Sequence, residues 1–269
     1  MRVVSYDSGR GPRAGLIADD AVFDAGPSVR ELIAGGLENL DRPSGGSTAL
    51  SAVSLLPPVP DPDKILCIGL NYRAHVAETG LDPPDSPTFF AKFRNALAPP
   101  GAAVVLPAAS EKVDFEAEVA FVIGRRAKDV AEGNALDHVA GYMLLNDLSA
   151  RDLQFATPQW MPGKVFDDSA PCGPALVTPD EAGPPNAIEF SLTLNGERMQ
   201  AASTDDLVFS VPMLVARLSA LMTLEPGDVI ATGTPSGVGS TRDPRVWLRP
   251  GDELAIESPT LGRLETTIA

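Results

Sequence analysis

The chain has 269 residues, 44% of them hydrophobic and 21% charged, proportions that suit a globular fold with a substantial core and exclude disordered and fibrous classes. With 36 acidic against 21 basic residues the formal charge is −15, which disfavours phosphate backbones and anionic membranes as partners and favours cations. The opening Met-Arg-Val-Val-Ser-Tyr-Asp lacks the apolar run of a signal peptide, and no stretch approaches the roughly 20 apolar residues of a membrane span, so a cytoplasmic location with no nucleic-acid or membrane partner is expected.

Residues 1 to about 56 alternate β-like pieces, Met1–Tyr6 and Gly15–Phe23, with one helical piece, Ser28–Ala34, in which Ser28 and Glu31 have capping-box spacing. Pro57–Asp63 then carries four prolines in seven residues, which predicts a linker. It divides a small N-terminal α/β domain, 1–60, from a larger domain, 61–269. Beyond it, short apolar runs are bounded by Gly, Pro, Asn and Asp: Lys64–Gly69, Ala102–Leu106, Phe115–Ile123, His138–Leu145, Ala175–Val177, Phe190–Leu194, Val229–Thr232 and Asp252–Ile256. Such punctuation predicts a β-rich roll or barrel. One helix is clear at Val211–Met222, where Leu214, Leu218 and Leu221 recur at helical spacing and Pro212 sits in the first turn. A shorter helix is expected to start at Ser149, whose spacing to Asp152 suits an N-terminal cap, and to carry Arg151 and Gln154. Cys67 and Cys172 are far apart in apolar settings and read as reduced core residues, not as a disulfide or a metal pair.

The chemistry concentrates in a few segments. In Phe115–Ile123 side chains alternate between faces, so Glu116 and Glu118 point the same way, and Asp147 ends the stretch Tyr142-Met-Leu-Leu-Asn-Asp. Adjacent carboxylates on an apolar strand repel unless protons or a cation neutralise them. Two readings fit: a solvent-facing pair, or, with Asp147, an all-oxygen site that selects Mg²⁺, Mn²⁺ or Ca²⁺ and leaves coordination positions open for water and substrate. His75 and Glu78, at i and i+3, form either a surface pair or a dyad in which the carboxylate fixes the imidazole tautomer for general-base work. His138 lacks such a partner and reads as structural. Lys92 and Lys164 are flanked by aromatics and glycine, which fits snorkelling from a strand edge or a buried ammonium that stabilises an oxyanion. Thr232-Gly-Thr-Pro-Ser-Gly-Val-Gly239 lacks both the Walker lysine and the dinucleotide spacing; it is a tight turn or a cradle in which backbone N–H groups and the Thr234 hydroxyl bind a carboxylate or carbonyl oxygen.

Together these segments resemble the fumarylacetoacetate hydrolase family. The match runs through Gly69–Glu78, Val113–Gly124, Val139–Gln154, Gln159–Asp167 and Glu225–Gly239, in the family's order. The resemblance implies an α+β, β-rich fold, with a mixed β-roll catalytic domain that is usually dimeric and a divalent metal, Mg²⁺ or Mn²⁺, on Glu116, Glu118 and Asp147. It also implies His75–Glu78 as the base for water, Lys164 and Gln154 as contacts to substrate oxygens, and Thr234 as a contact to the substrate carboxylate. Arg151 would orient Asp147 or the substrate, with Tyr72 and Lys92 as further substrate contacts. Val165 departs from the pattern, since relatives commonly carry a hydroxyl residue after the lysine. The chemistry implied is metal-dependent C–C bond hydrolysis of acylpyruvate-like diketo acids. The alternatives are decarboxylation or isomerisation of 2-keto or 2-hydroxydiene diacids and, in another class, a catalytically silent binding protein. The loops 80–86 and 155–162 are expected to line the substrate side-chain pocket.

Overall fold

The computed structural model describes residues 1–40, 46–80 and 82–269. Its centre is the antiparallel pair Ala117–Ile123 and Val139–Asn146, in which every residue is buried. That is why these stretches read as continuous apolar runs: a strand covered on both faces has no solvent side to mark. Alternation still sorts them. Ala117, Val119, Phe121 and Ile123 enter one core with Leu214, Val215 and Leu218 of the helix Val211–Leu221, while Ala120 and Val122 enter a second core with Ile65, Cys67 and Cys172.

Around this pair runs a mixed sheet in the order Ser47–Ala49, Ala21–Gly26, Pro12–Ala18, Arg2–Asp7, Ala170–Val177, Val139–Asn146, Ala117–Ile123, Val229–Ala231, Ile65–Gly69 and Thr88–Lys92. Ile65–Gly69 joins Val229–Ala231 in parallel, and the other neighbours on this path are antiparallel. A five-stranded sheet, from Glu197–Ser203 through Glu189–Leu194, Glu253–Ser258 and Gly262–Ile268 to Ala102–Val104, packs Phe190, Leu192, Leu254, Ile256 and Leu264 into the first core. The architecture is the β-rich α+β one expected. Arg2 and Val3 pair with Val177 and Leu176, so the backbone ladder continues across the proline run at residue 60.

Several local expectations are corrected. Gly15–Phe23 is not one β piece but the two arms of a hairpin, because Asp19 and Asp20 turn the chain at φ 47 and 60. Two successive left-handed residues make the tight turn that suits strand twist, and aspartate tolerates it. Ser28 accepts from the Glu31 N–H at 3.2 Å and begins the helix Val29–Gly35, as its spacing suggests. Ser149 does not cap a helix: it lies in a short bridge to Val113–Asp114 and its hydroxyl donates to the Asp147 carbonyl at 2.7 Å. The helical turn after it, Arg151–Gln154, starts from Ala150 without a side-chain cap, and the Asp152 carboxylate instead accepts from Ser110 and the Glu111 N–H. Leu221, which recurs at helical spacing with Leu214 and Leu218, does not join them in the core but is 68% exposed, since the helix ends there and Met222 is already extended.

Candidate active site

The register of the central pair builds the site. Ala117 pairs with Asn146, so Glu116 lies beside Asp147, and the two backbones are tied by the Asp147 N–H donating to the Glu116 carbonyl at 2.9 Å. The Glu116 N–H in turn donates to Asn146 Oδ1 at 3.0 Å. Strand periodicity then returns Glu118 to the same face. One carboxylate oxygen from each of Glu116, Glu118 and Asp147 lies within 4.8 Å of the others, and all three residues are buried.

Three cations meet this cluster. Lys164 Nζ lies 2.7 Å from Glu116 Oε2 and 2.9 Å from Asp147 Oδ2, and Lys92 Nζ lies 2.6 Å from Asp147 Oδ1. Both lysines are 2% exposed, so neither snorkels. Arg151 pairs with Glu116 Oε1 at 2.6 Å and with Asp114 Oδ2 at 2.9 Å, and donates to Gln154 Oε1 at 2.9 Å. It therefore orients Glu116 and Gln154; of the two roles expected of it, orienting Asp147 falls away, because the Asp147 oxygens are already taken by the two lysines. Burial works to raise the Glu116 pKa, but Lys164 and Arg151 outweigh it and hold it at about 2. Among the described residues no cation forms an ion pair with Glu118. Burial, then the charges of Asp147 and Glu116, push its pKa well above the usual carboxylate range, against the Gly233 N–H that donates to Oε2 at 2.8 Å.

The glycine-rich loop turns out to serve the site's own carboxylates. Gly233 and Gly237 adopt φ +101 and +100, conformations open to glycine, and a Cβ at Gly233 would also stand 2.9 Å from the Ile68 carbonyl oxygen. The Gly237 N–H donates to Glu78 Oε1 at 2.9 Å, joined there by the Thr241 hydroxyl at 2.8 Å. The other Glu78 oxygen is 2.9 Å from His75 Nδ1, both residues standing on the short helix Arg73–Thr79. Burial alone would raise the Glu78 pKa; His75, Gly237 N–H and Thr241 together lower it. The Thr234 hydroxyl donates to the Ala117 carbonyl at 3.0 Å and accepts from Gln200 Nε2 at 2.9 Å.

A cavity of about 780 Å³ opens over this arrangement and is lined by His75, Glu78, Glu116, Asp147, Arg151, Gln154, Lys164 and Thr234. Glu118 and Lys92 are not part of that wall: Lys92 holds Asp147 from behind, and Glu118 offers an oxygen within 4.8 Å of those of Glu116 and Asp147. Tyr72 does not reach the cavity: it is fully buried, its ring edge-on to Phe190 at 6.1 Å between centroids. Phe155 and Trp160 line the cavity as expected of their loop, whereas none of the described residues of 80–86 does. His138 donates from Nδ1 to the Arg125 carbonyl, 3.2 Å away, in keeping with a structural part.

Sequence reasoning missed three residues. Asp114, fully buried, accepts from Arg151 and from the Gly239 and Ser240 N–H groups at 2.7 and 3.0 Å, so it joins the arginine to the loop. Asn71 donates to the Thr232 and Phe209 carbonyls and accepts from the Phe209 N–H, and Gln200 fixes Thr234. Asp114 and Asn71 lie inside motifs already singled out by sequence; Gln200 carries no local signal.

The donor set fits a hard divalent cation. Asp114, Glu116, Glu118 and Asp147 bring four acidic groups against three basic ones, Lys92, Arg151 and Lys164, and the three clustered carboxylates offer oxygen ligands alone.

Residues 64–269 match the family described as fumarylacetoacetate (FAA) hydrolase, C-terminal, and the chain belongs to that family. Its members are enzymes, and the relatives span several reactions. The chain is 42% identical over 220 residues to the mitochondrial oxaloacetate tautomerase fahd2 of Xenopus laevis, covering 81% of this chain and 69% of the relative. The 2-hydroxyhepta-2,4-diene-1,7-dioate isomerase of Mycobacterium marinum superimposes with a TM-score of 0.82 at 31% identity, over 100% of this chain and 98% of its own. The maleylpyruvate hydrolase of Sphingobium sp. SYK-6, solved with manganese(II) and pyruvate, does so at 0.81 and 32% identity, over 100% and 99%. Among the described residues no helix is long and apolar enough to cross a membrane.

Proposed function

We propose that the chain is a divalent-metal-dependent hydrolase that cleaves the C–C bond of acylpyruvate-like diketo acids. One observation carries the hydrolytic reading: the His75–Glu78 pair faces the same cavity as Glu116 and Asp147 and is locked in place by Gly237 and Thr241. Glu116, Glu118 and Asp147 are the residues that would hold Mg²⁺ or Mn²⁺. Such an ion, when bound, supplies a Lewis acid for the adjacent oxygens of a 2-keto acid.

The chain's own groups supply the rest. Glu78 at Nδ1 assigns the proton of neutral His75 to that nitrogen and leaves Nε2 as the base. His75 takes a proton from water, whose oxygen attacks the carbonyl carbon distal to the carboxylate. The bond to the pyruvyl methylene breaks, and its electron pair passes into an enolate. Return of the proton from His75 to the methylene carbon gives one carboxylic acid and pyruvate, so that R–CO–CH₂–CO–COO⁻ and water balance R–COOH and CH₃–CO–COO⁻. Lys164, Gln154 and Thr234 line the cavity as contacts for substrate oxygens.

A second reading is favoured by the tautomerase relative. With no water placed, His75 moves a proton between carbon and oxygen of the same enolate, and the reaction becomes an isomerisation of oxaloacetate or of a 2-hydroxydiene diacid; decarboxylation would use the same electron sink. Purified protein with Mn²⁺ separates them. Release of pyruvate from an acylpyruvate, followed by loss of the diketone's ultraviolet absorbance, is the outcome expected for the hydrolase. No pyruvate, together with faster keto–enol equilibration of oxaloacetate, would transfer the assignment to the second reading.

A further inference from the structure

Six residues other than glycine adopt a positive φ among the described residues. Five are Asp or Asn, types that tolerate that conformation, and the sixth is Leu70 at φ 54. A leucine held there is strained, and such strain persists only where the surroundings fix the backbone. Both neighbours of Leu70 are fixed. Gly69 closes the strand ladder opposite Thr88, and Asn71 donates to the Thr232 and Phe209 carbonyls at 2.8 and 3.2 Å while accepting from the Phe209 N–H at 2.8 Å.

Core packing does not offset the strain. Ile68 lies in one hydrophobic core and Phe90 in another, but among the described residues Leu70 joins none, and it is only partly buried. It lines the cavity instead. Leu70 also ends an uncharged stretch of the cavity wall. A Cβ at Gly69 would stand 2.3 Å from Trp160 Cζ3, so the glycine is what lets the indole close on the end of the strand. Trp160 meets Phe90 edge-on at 6.1 Å between centroids, and the Phe90 ring lies 5.0 Å from Lys164 Nζ, the ammonium that bridges Glu116 and Asp147. An apolar surface thus runs from the carboxylate cluster through Phe90 and Trp160 to Gly69 and Leu70, and all four residues line the cavity. Ile65–Asn71 contains no charged residue, and on the described wall as a whole acidic and basic side chains are equal in number, so no net field draws a second charged group to this side.

We infer that Leu70 is a specificity residue, held in a strained conformation so that with Phe90 and Trp160 it receives an uncharged alkyl or aryl group of the substrate beyond the 2-keto acid. The substrates so favoured are acylpyruvates with an apolar acyl group. This rests on the proposed function for the seat of the 2-keto acid beside Glu116 and Asp147.

The test is calorimetric titration of the Mn²⁺-loaded full chain with 2-oxo-4-phenylbutanoate and with 2-oxobutanoate, which differ only by the phenyl group. Neither has the second keto group that cleavage requires, so binding is read whether or not diketo acids are hydrolysed. The phenyl compound is expected to bind about tenfold more tightly. In Leu70→Asn, whose side chain is polar and tolerates the left-handed backbone, the gap is expected to close to about threefold or less, with a melting midpoint unchanged or raised. Leu70→Met, which restores an apolar side chain, is expected to keep the gap. Equal affinity of the wild-type chain for the two compounds would overturn the inference and leave the hydrolase reading standing, whereas binding of neither would remove both. A gap that survives in Leu70→Asn, or one that closes together with a lowered midpoint, would also overturn it, the latter by returning Leu70 to a structural part.

Discussion

His75 is the residue on which turnover is expected to depend most directly. Its replacement by Ala removes the base while leaving the buried cluster untouched, and kcat is expected to fall about 10²–10⁴-fold with Mn²⁺ affinity retained. Steady-state kinetics beside a Mn²⁺ titration checks both halves. Glu78 has a pH signature of its own. Its carboxyl titrates below the ordinary 4.5 in the folded chain because His75, Gly237 N–H and Thr241 outweigh burial. A group with a lowered folded pKa contributes stability that is present above its unfolded value and is lost as the pH falls through the folded one. Urea melts of the wild-type chain and of Glu78→Gln are therefore expected to differ at pH 7 and to converge in acid, below the ordinary glutamate value. A difference that persists unchanged to pH 3 would show that the ionised carboxylate is not what holds the loop.

The strand Ala117–Ile123 and the glycine-rich loop cooperate through Asp114, and this is where sequence and structure part company. Asp114→Asn strips the charge facing buried Arg151, and breaking such a pair costs about 3–5 kcal/mol. A lowered denaturation midpoint with an intact sheet signature is the expected readout. Strands and the helix Val211–Leu221 were legible because periodicity, punctuation and a proline in the first turn, Pro212, are all local. The triad was legible for the same reason: Glu116 and Glu118 share a face by strand alternation, and Asp147 closes a recognisable run. What sequence does not carry is contact between distant segments. Lys92 meets Asp147 across 55 positions, Lys164 meets Glu116 across 48 and Gly237 meets Glu78 across 159. Snorkelling and burial both stayed open for the lysines because the deciding partners lie in distant segments. Tyr72 shows the reverse case: it belongs to a recognisable motif, yet its ring turns into the core beside Phe190, away from the cavity.

For the molecule as a whole, the resemblance that supplied the site also supplied a homodimer, and that assembly stands as a proposal. The edge strand Thr88–Lys92 ends the large sheet, with Phe89 on it 37% exposed and Phe93 just beyond it 52% exposed, so an apolar border is present for a second copy. Light scattering is expected to give about twice the 28.1 kDa chain mass, and a monomer at micromolar concentration would remove the proposal. Over the same scale, a strongly acidic chain gathers three basic groups around four buried acids, so that with all four ionised the cluster would carry one negative charge in excess, the charge that burial and the neighbouring carboxylates make Glu118 resist when no cation offsets it. That excess, focused on oxygen donors, is the physical basis for assigning a hard cation to it. The most direct measurement is a Mn²⁺ titration of the metal-free chain, followed by paramagnetic resonance, beside Glu118→Gln, which removes a ligand without orphaning a lysine. One ion bound per chain by the wild type and a loss of at least about tenfold in affinity in the variant are expected. No uptake by the wild type, or undiminished uptake by Glu118→Gln, would contradict the assignment.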